Sequence, residues 1–122
     1  MSKRTISPRF YLEDILQYSN YILQFTSDIT EETFQQDLRT QLAVTRAIEV
    51  LGEAAKRVLE LRPNDTQLAN LPLQKAYATR NRLIHGYDTV RVKTLWEISR
   101  NDIPPLIKEL ERLLAKWSDP VP

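Results

Sequence analysis

The stretch DLRTQLAVTRAIEVLGEAAKRVLELR, residues 37–62, decides the fold. Asp37 can cap a helix, its carboxylate accepting a backbone N–H that the first turn leaves without a partner. Leu38, Leu42, Ile48, Leu51, Ala55 and Val58 follow at helical rather than strand spacing and are assigned to the inner side. The helix is expected to end at Arg62, because Pro63-Asn64-Asp65 is a turn signal and a proline disfavours helix at the residue before it. Gly52 stands in mid-helix, where glycine costs about 1 kcal/mol against alanine. Close approach of a neighbouring helix or of a second copy would explain it.

The same periodicity runs outward in both directions. Upstream, Ser7-Pro8 reads as N-cap and first helical residue. Tyr11, Ile15, Tyr18, Ile22 and Phe25 then form one apolar stripe. Thr30-Glu31-Glu32 starts a short helix through Phe34. Downstream, residues 64–71 read as a loop, and Pro72 opens a helix with Leu73, Ala76, Tyr77 and Ile84 as core candidates. Gly86 is placed to end that helix in a left-handed turn, with His85 at the C-cap. A last helical region runs from about Val90 to Trp117, and Pro104-Pro105 should kink or split it. Leu106, Ile107, Leu110, Leu113 and Leu114 form its apolar face, and Trp96 and Trp117 are expected to pack. The expectation is an all-α bundle of four long helices plus a short one.

Length and composition bound the rest. The 122 residues suit one domain, 1–122, whose tail from Ser118 carries two prolines and is expected to fray. With 42% apolar and 27% charged residues the chain has the make-up of a soluble globular protein. No apolar run approaches bilayer length, and no apolar signal core follows the basic Met1-Ser2-Lys3-Arg4, so the expected address is the cytoplasm and no membrane is involved. The absence of cysteine removes disulfides, thiolate chemistry and cysteine metal sites. Net charge is only +1, but residues 66–96 hold Lys75, Arg80, Arg82, Arg91 and Lys93 against the single acid Asp88, a local balance of five minus one, or +4.

That basic stretch contains the residues with chemical potential. Arg80-Asn81-Arg82-Leu83-Ile84-His85-Gly86-Tyr87 gathers an arginine, the only histidine and a tyrosine near one helix end. Arginine grips phosphate with a planar fork of donors. Histidine moves protons near neutral pH. RNA carries its own nucleophile, the 2′-hydroxyl, so these two groups are the parts needed to cleave it without a metal or other cofactor. His85 would be base or acid, Arg80 would stabilise charge building on phosphorus, and Asn81 or Arg82 would orient phosphate or ribose. One chain supplies one histidine, whereas a base and an acid on opposite sides of the phosphate need two. A twofold homodimer with a composite cleft lined by Arg80 and His85 of both chains is therefore expected. The bland alternative pairs Arg80 with an acid such as Glu49 or Glu53 and leaves His85 as a helix cap. Glu49 and Glu53, four apart, lack the Glu-x-x-His partners of a diiron bundle, so no metal site is assigned.

Arg-x4-His-x-Tyr with a polar residue directly after the arginine resembles the signature of HEPN-domain ribonucleases. It is similar in particular to HepT-type toxins, partners of minimal nucleotidyltransferase antitoxins of the MNT type. The resemblance extends to Phe34-Gln35-Gln36-Asp37, Ile48-Glu49-Val50-Leu51-Gly52-Glu53-Ala54, Leu95-Trp96-Glu97-Ile98 and Asp102-Ile103-Pro104. It implies a HEPN-like antiparallel helical bundle that works as a homodimer. It also implies a metal-independent endoribonuclease, with Arg80 and His85 as catalytic pair and Asn81 in support. Tyr87 matches the tyrosine to which the antitoxin attaches AMP, which would place bulk and negative charge in the cleft meant for RNA. The competing expectation is a module of the same fold that dimerises and docks a nucleotidyltransferase without cutting anything.

Overall fold

The computed structural model describes residues 7–85 and 91–118. Gly86 and Tyr87, the basic N-terminus and the tail beyond Ser118 lie outside those residues. Among the described residues six α-helices occur in order: α1 (Pro8–Thr26), α2 (Glu31–Gln36), α3 (Leu38–Leu61), α4 (Leu73–Ile84), α5 (Val92–Glu97) and α6 (Ile103–Lys116). A 3-10 turn at Thr66–Leu68 lies in the α3–α4 connection, and a π-helical segment, Ile98–Asp102, joins α5 to α6. Counting α5, the π segment and α6 as one interrupted helix, the fold is the expected all-α bundle of four long helices and a short one.

Side chains placed before each helix start it. Ser7 Oγ accepts from Arg9 N, Thr30 Oγ1 from Thr33 N and Asp37 Oδ1 from Thr40 N. The α3 C-cap is Arg62, and Asn64 takes a positive φ of 62° in the turn that follows. Proline chemistry explains the π segment. Pro104 and Pro105 have no N–H to offer the carbonyls of Arg100 and Asn101, four residues back. The ladder shifts register instead, and Ile103 N–H reaches the Ile98 carbonyl, five residues back. Arg100 secures this junction. Its guanidinium donates to the Thr26 and Ile29 carbonyls and lies 4.7 Å from the Trp96 ring centroid.

Helix α3 is central, packing against both α1 and α4, while α6 covers α1. Its buried residues Val44, Ala47, Ile48, Leu51, Ala54, Ala55 and Val58 form one arc centred on Leu51. Leu38 and Leu42, expected on the inner side, are 65% and 60% exposed. At about 100° per residue Leu42 lies half a turn away from Leu51, and Leu38 nearly so. The stripe on α1 is likewise rotated from the expected one. Leu12, Ile15, Ser19, Ile22 and Thr26 are buried, whereas Tyr11 and Tyr18 are half-buried and Phe25 is exposed. Small hydroxyl side chains fit the close side of α1, and the Thr26 hydroxyl satisfies itself on the Ile22 carbonyl. Helix α4 rests mainly on α3, so it buries only a narrow stripe. Of its core candidates Leu73 is buried and Ala76 packs against the core, but Ile84 is exposed.

Candidate active site

Gly52 explains how α4 reaches α3. A Cβ built there would lie 2.3 Å from Arg80 Cβ and 2.8 Å from the Ala76 carbonyl oxygen, both shorter than real contacts allow. The missing side chain is the seat of Arg80. It presses the arginine stem onto the α3 backbone and brings the guanidinium beside the next α3 residue, Glu53. Close approach of a neighbouring helix, one of the two expected reasons for Gly52, is thus the one observed.

Arg80 is held at both terminal nitrogens. Its Nη1 donates to Asn81 Oδ1 at 2.8 Å, and its Nη2 lies 3.0 Å from Glu53 Oε2. The Glu53 contact is an ion pair without good hydrogen-bond geometry, because Glu53 Oε2 is buried with no hydrogen-bond partner; Arg80 Nε is likewise buried and unpartnered. The Arg80 side chain keeps 23% of its surface exposed. It opens on a cavity of about 330 Å³ between α1, α3 and α4. Tyr11, Asp14, Arg46, Glu49, Glu53 and Arg57 share the wall with it. The charges alternate, with Arg46 3.6 Å from Glu49 and Arg57 3.3 Å from Glu53. Burial, with Glu13 beside it, raises the Asp14 carboxyl above its ordinary range.

His85 is the C-cap of α4, as expected. Its backbone is still right-handed helical, φ −75° and ψ −10°, and its N–H donates to the Asn81 carbonyl. Five helical positions therefore separate it from Arg80, roughly 140° in azimuth. Arg80 turns into the α3 seam, whereas His85 is exposed at the helix end. Arg82 is exposed on another side of the same turn. The structure thus brings Arg80, Asn81 and Glu53 together and leaves His85 and Arg82 exposed and outside the cavity wall; Tyr87 lies outside the described residues. The basic cluster is partly neutralised, since Lys75 pairs with Asp102 at 3.4 Å and Arg80 with Glu53. Tyr11, Asp14, Arg46 and Arg57 carried no signal as wall residues, because only the packing of α1 against α3 gathers them. Glu53 carried one, its spacing four residues from Glu49.

No helix among the described residues is long and apolar enough to cross a membrane. The chain is 39% identical over 109 residues to "Probable ribonuclease HepT" of Thermococcus cleftensis, covering 88% of this chain and 96% of that protein. It is 35% identical over 116 residues to "Putative RNase MJ0125" of Methanocaldococcus jannaschii, covering 93% and 95%. No solved structure matches it significantly. The family model described as Ribonuclease HepT-like matches residues 15–113, which take in the α3 seam, Arg80 and His85. With that match over most of its length, the chain belongs to the HepT-like ribonuclease family.

Proposed function

We propose that the protein is a metal-independent endoribonuclease that acts as a homodimer. The observation that carries this reading is Arg80 itself. It is a half-buried guanidinium at a cavity wall, braced by Asn81 and Glu53, with a second N–H left on each terminal nitrogen, on the helix that ends in the only histidine. In the reaction the ribose 2′-oxygen attacks phosphorus as its proton passes to one His85. The bond from phosphorus to the 5′-oxygen breaks, and the symmetry-related His85 returns a proton to that oxygen. The products are a 2′,3′-cyclic phosphate and a free 5′-hydroxyl. Arg80 bears the charge that builds on the non-bridging oxygens, and Asn81 and Arg82 help to hold phosphate or ribose. The 140° offset within one chain favours a cleft shared between two copies, where the histidine facing an arginine need not be its own.

Under this reading the protein is the toxin of a pair whose antitoxin is an MNT-type nucleotidyltransferase. The Tyr87 hydroxyl would attack the α-phosphorus of ATP, release pyrophosphate and carry AMP into the cleft. The test uses purified protein and a single-stranded RNA. Wild type should cleave, and His85→Ala and Arg80→Ala should each lose cleavage by at least about 100-fold. Unchanged cleavage by His85→Ala rejects the catalytic assignment. Incubation with the partner and ATP should add AMP-sized mass to Tyr87, and a Tyr87→Phe variant should stay unmodified. A monomer at micromolar concentration would contradict the shared cleft. A second reading, a non-cutting module that docks the nucleotidyltransferase, gains support from the Arg80–Glu53 pair, which neutralises the cation. It predicts no cleavage by the intact protein at any concentration.

A further inference from the structure

Glu53 does more than neutralise Arg80. It is one link in a chain of charges that runs along α3 and across to α4. Glu60 Oε1 lies 3.3 Å from Arg57 Nη1, Arg57 Nη2 lies 3.3 Å from Glu53 Oε1, and Glu53 Oε2 lies 3.0 Å from Arg80 Nη2. Each carboxylate oxygen of Glu53 thus faces a different arginine. Its contact to Arg57 is local, four residues along one helix. Its contact to Arg80 spans two helices and exists because Gly52 has no Cβ.

A half-buried arginine held neither by a counter-ion nor by fixed main-chain acceptors turns its head to water, because its stem is long and its charge is costly to desolvate. Asn81 alone, adjacent in sequence and neutral, cannot prevent that. Glu53 can, since it approaches from the opposite helix and carries the opposite charge. The two contacts nonetheless engage Nη1 and Nη2 once each, so each terminal nitrogen keeps a second N–H, and 23% of the side-chain surface stays exposed. An arginine tied only to backbone carbonyls cannot exchange them for an anion, whereas side-chain partners can move aside. This one is held in place and left with capacity for an anion.

We infer that Glu53 is the positioning residue for Arg80: bridged to Arg57, it aims the guanidinium into the cavity between α1, α3 and α4, where a backbone phosphate of the RNA is gripped. The inference rests on the reading of Arg80 as the charge-stabilising group. Arg57 in turn orients the Glu53 carboxylate. Asn81 fixes the second terminal nitrogen, so the plane of the fork is set from two sides.

The experiment is a double-mutant cycle on RNA cleavage with Glu53→Gln, Arg80→Ala and the double variant. Misplacing a catalytic group by about 1 Å costs on the order of 100-fold. Glu53→Gln should therefore lower kcat by roughly 10- to 100-fold with KM nearly unchanged. Glu53→Asp, which keeps the charge at shorter reach, should recover part of that loss. In the Arg80→Ala background Glu53→Gln should cost nothing further, because there is no guanidinium left to aim. A purely structural role predicts instead an equal loss in both backgrounds, tracking the fall in melting temperature, and would overturn the inference. Glu53→Gln cleaving at or above the wild-type rate while Arg80→Ala is inactive overturns it as well. Arg80→Ala as active as wild type removes the underlying reading itself. A spectroscopic readout on the wild-type protein guards against a variant that does not fold. The Arg80 Nε–H signal in a ¹⁵N-arginine-labelled sample, assigned by its loss in Arg80→Ala, should be shifted from free arginine and slow to exchange. A signal coinciding with that of free arginine overturns the inference.

Discussion

The junction around Arg100 and the seam around Arg80 each hold a half-buried arginine near an aromatic ring, yet they are built to opposite ends. Arg100 gives its donors to backbone carbonyls, those of Thr26 and Ile29, and stacks close on Trp96. Those acceptors belong to the last residue of α1 and to the connection before α2, and main-chain groups cannot turn away as a side chain can. They are neutral, so they leave the charge in place, and both accept from the one terminal nitrogen Nη2. Arg80 meets only side chains, Asn81 and Glu53, beside a cavity, with Nε unsatisfied and the Tyr77 ring at 6.0 Å. Side-chain partners can yield to an incoming phosphate; backbone carbonyls cannot. The partners therefore separate an arginine that ties the chain together from one poised to bind.

The sharpest way to break this contrast is to remove each arginine in turn. Arg80→Ala should abolish RNA cleavage, by about 100- to 1,000-fold in kcat, with a modest change in melting temperature. If instead Arg80→Ala melts early while its folded fraction cleaves normally, the two arginines are of one kind. Next in size is the seat of Arg80. Gly52→Ala gains helix propensity of about 1 kcal/mol but forces a Cβ into Arg80 and the Ala76 carbonyl. The net loss should be roughly 2 kcal/mol, read as a drop in melting temperature on the order of 8 °C, together with impaired cleavage. Wild-type stability in that variant would mean that α4 rides up at no cost, and that the close approach is not what places Arg80.

Arg100→Ala should show the converse of Arg80→Ala. It leaves two carbonyls and the Trp96 face without their partner, a cost of about 1–2 kcal/mol. Thermal or urea unfolding should detect it, and the activity of the folded fraction should hold. Smallest is a test remote from both regions, at the α3 cap. Hydrogen bonds from the Thr40 hydroxyl and backbone hold the Asp37 carboxyl below its ordinary range. A depressed folded-state pKa stabilises above the unfolded value, and that stability is lost as pH falls through the folded one. Asp37→Asn caps without titrating. The advantage of wild type over this variant should be present at neutral pH and vanish in the acid range. A difference that does not change with pH would show that the cap carries no proton linkage.

Much of the fold was legible because its determinants are local. Ser7, Thr30 and Asp37 cap the helices they precede, and Pro104-Pro105 divides the last helical region as expected, with a π register shift at the division. The inward faces were legible only in part. Ile48, Leu51, Ala55 and Val58 lie inside as spacing implied, but Leu38 and Leu42 of the same helix do not. On α1 the aromatic residues yielded the closest-packed positions to Ser19 and Thr26. Apolar spacing marks a helix, but the neighbour that covers a face is set elsewhere in the chain. Of the candidate site, the Arg80-to-Tyr87 segment stood out by residue type, and the C-cap position of His85 followed from Gly86.

By itself, then, the sequence determined where helices begin and end and which residues can do chemistry, since capping bonds, proline's missing N–H and side-chain functional groups act within a few residues. Only the tertiary structure decided that Gly52 seats Arg80, that Glu53 rather than Glu49 meets it, and that Tyr11, Asp14 and Arg46 wall the same cavity. Those relations join residues far apart along the chain. Distances of 2 to 4 Å between them depend on how three helices pack, which no local spacing encodes.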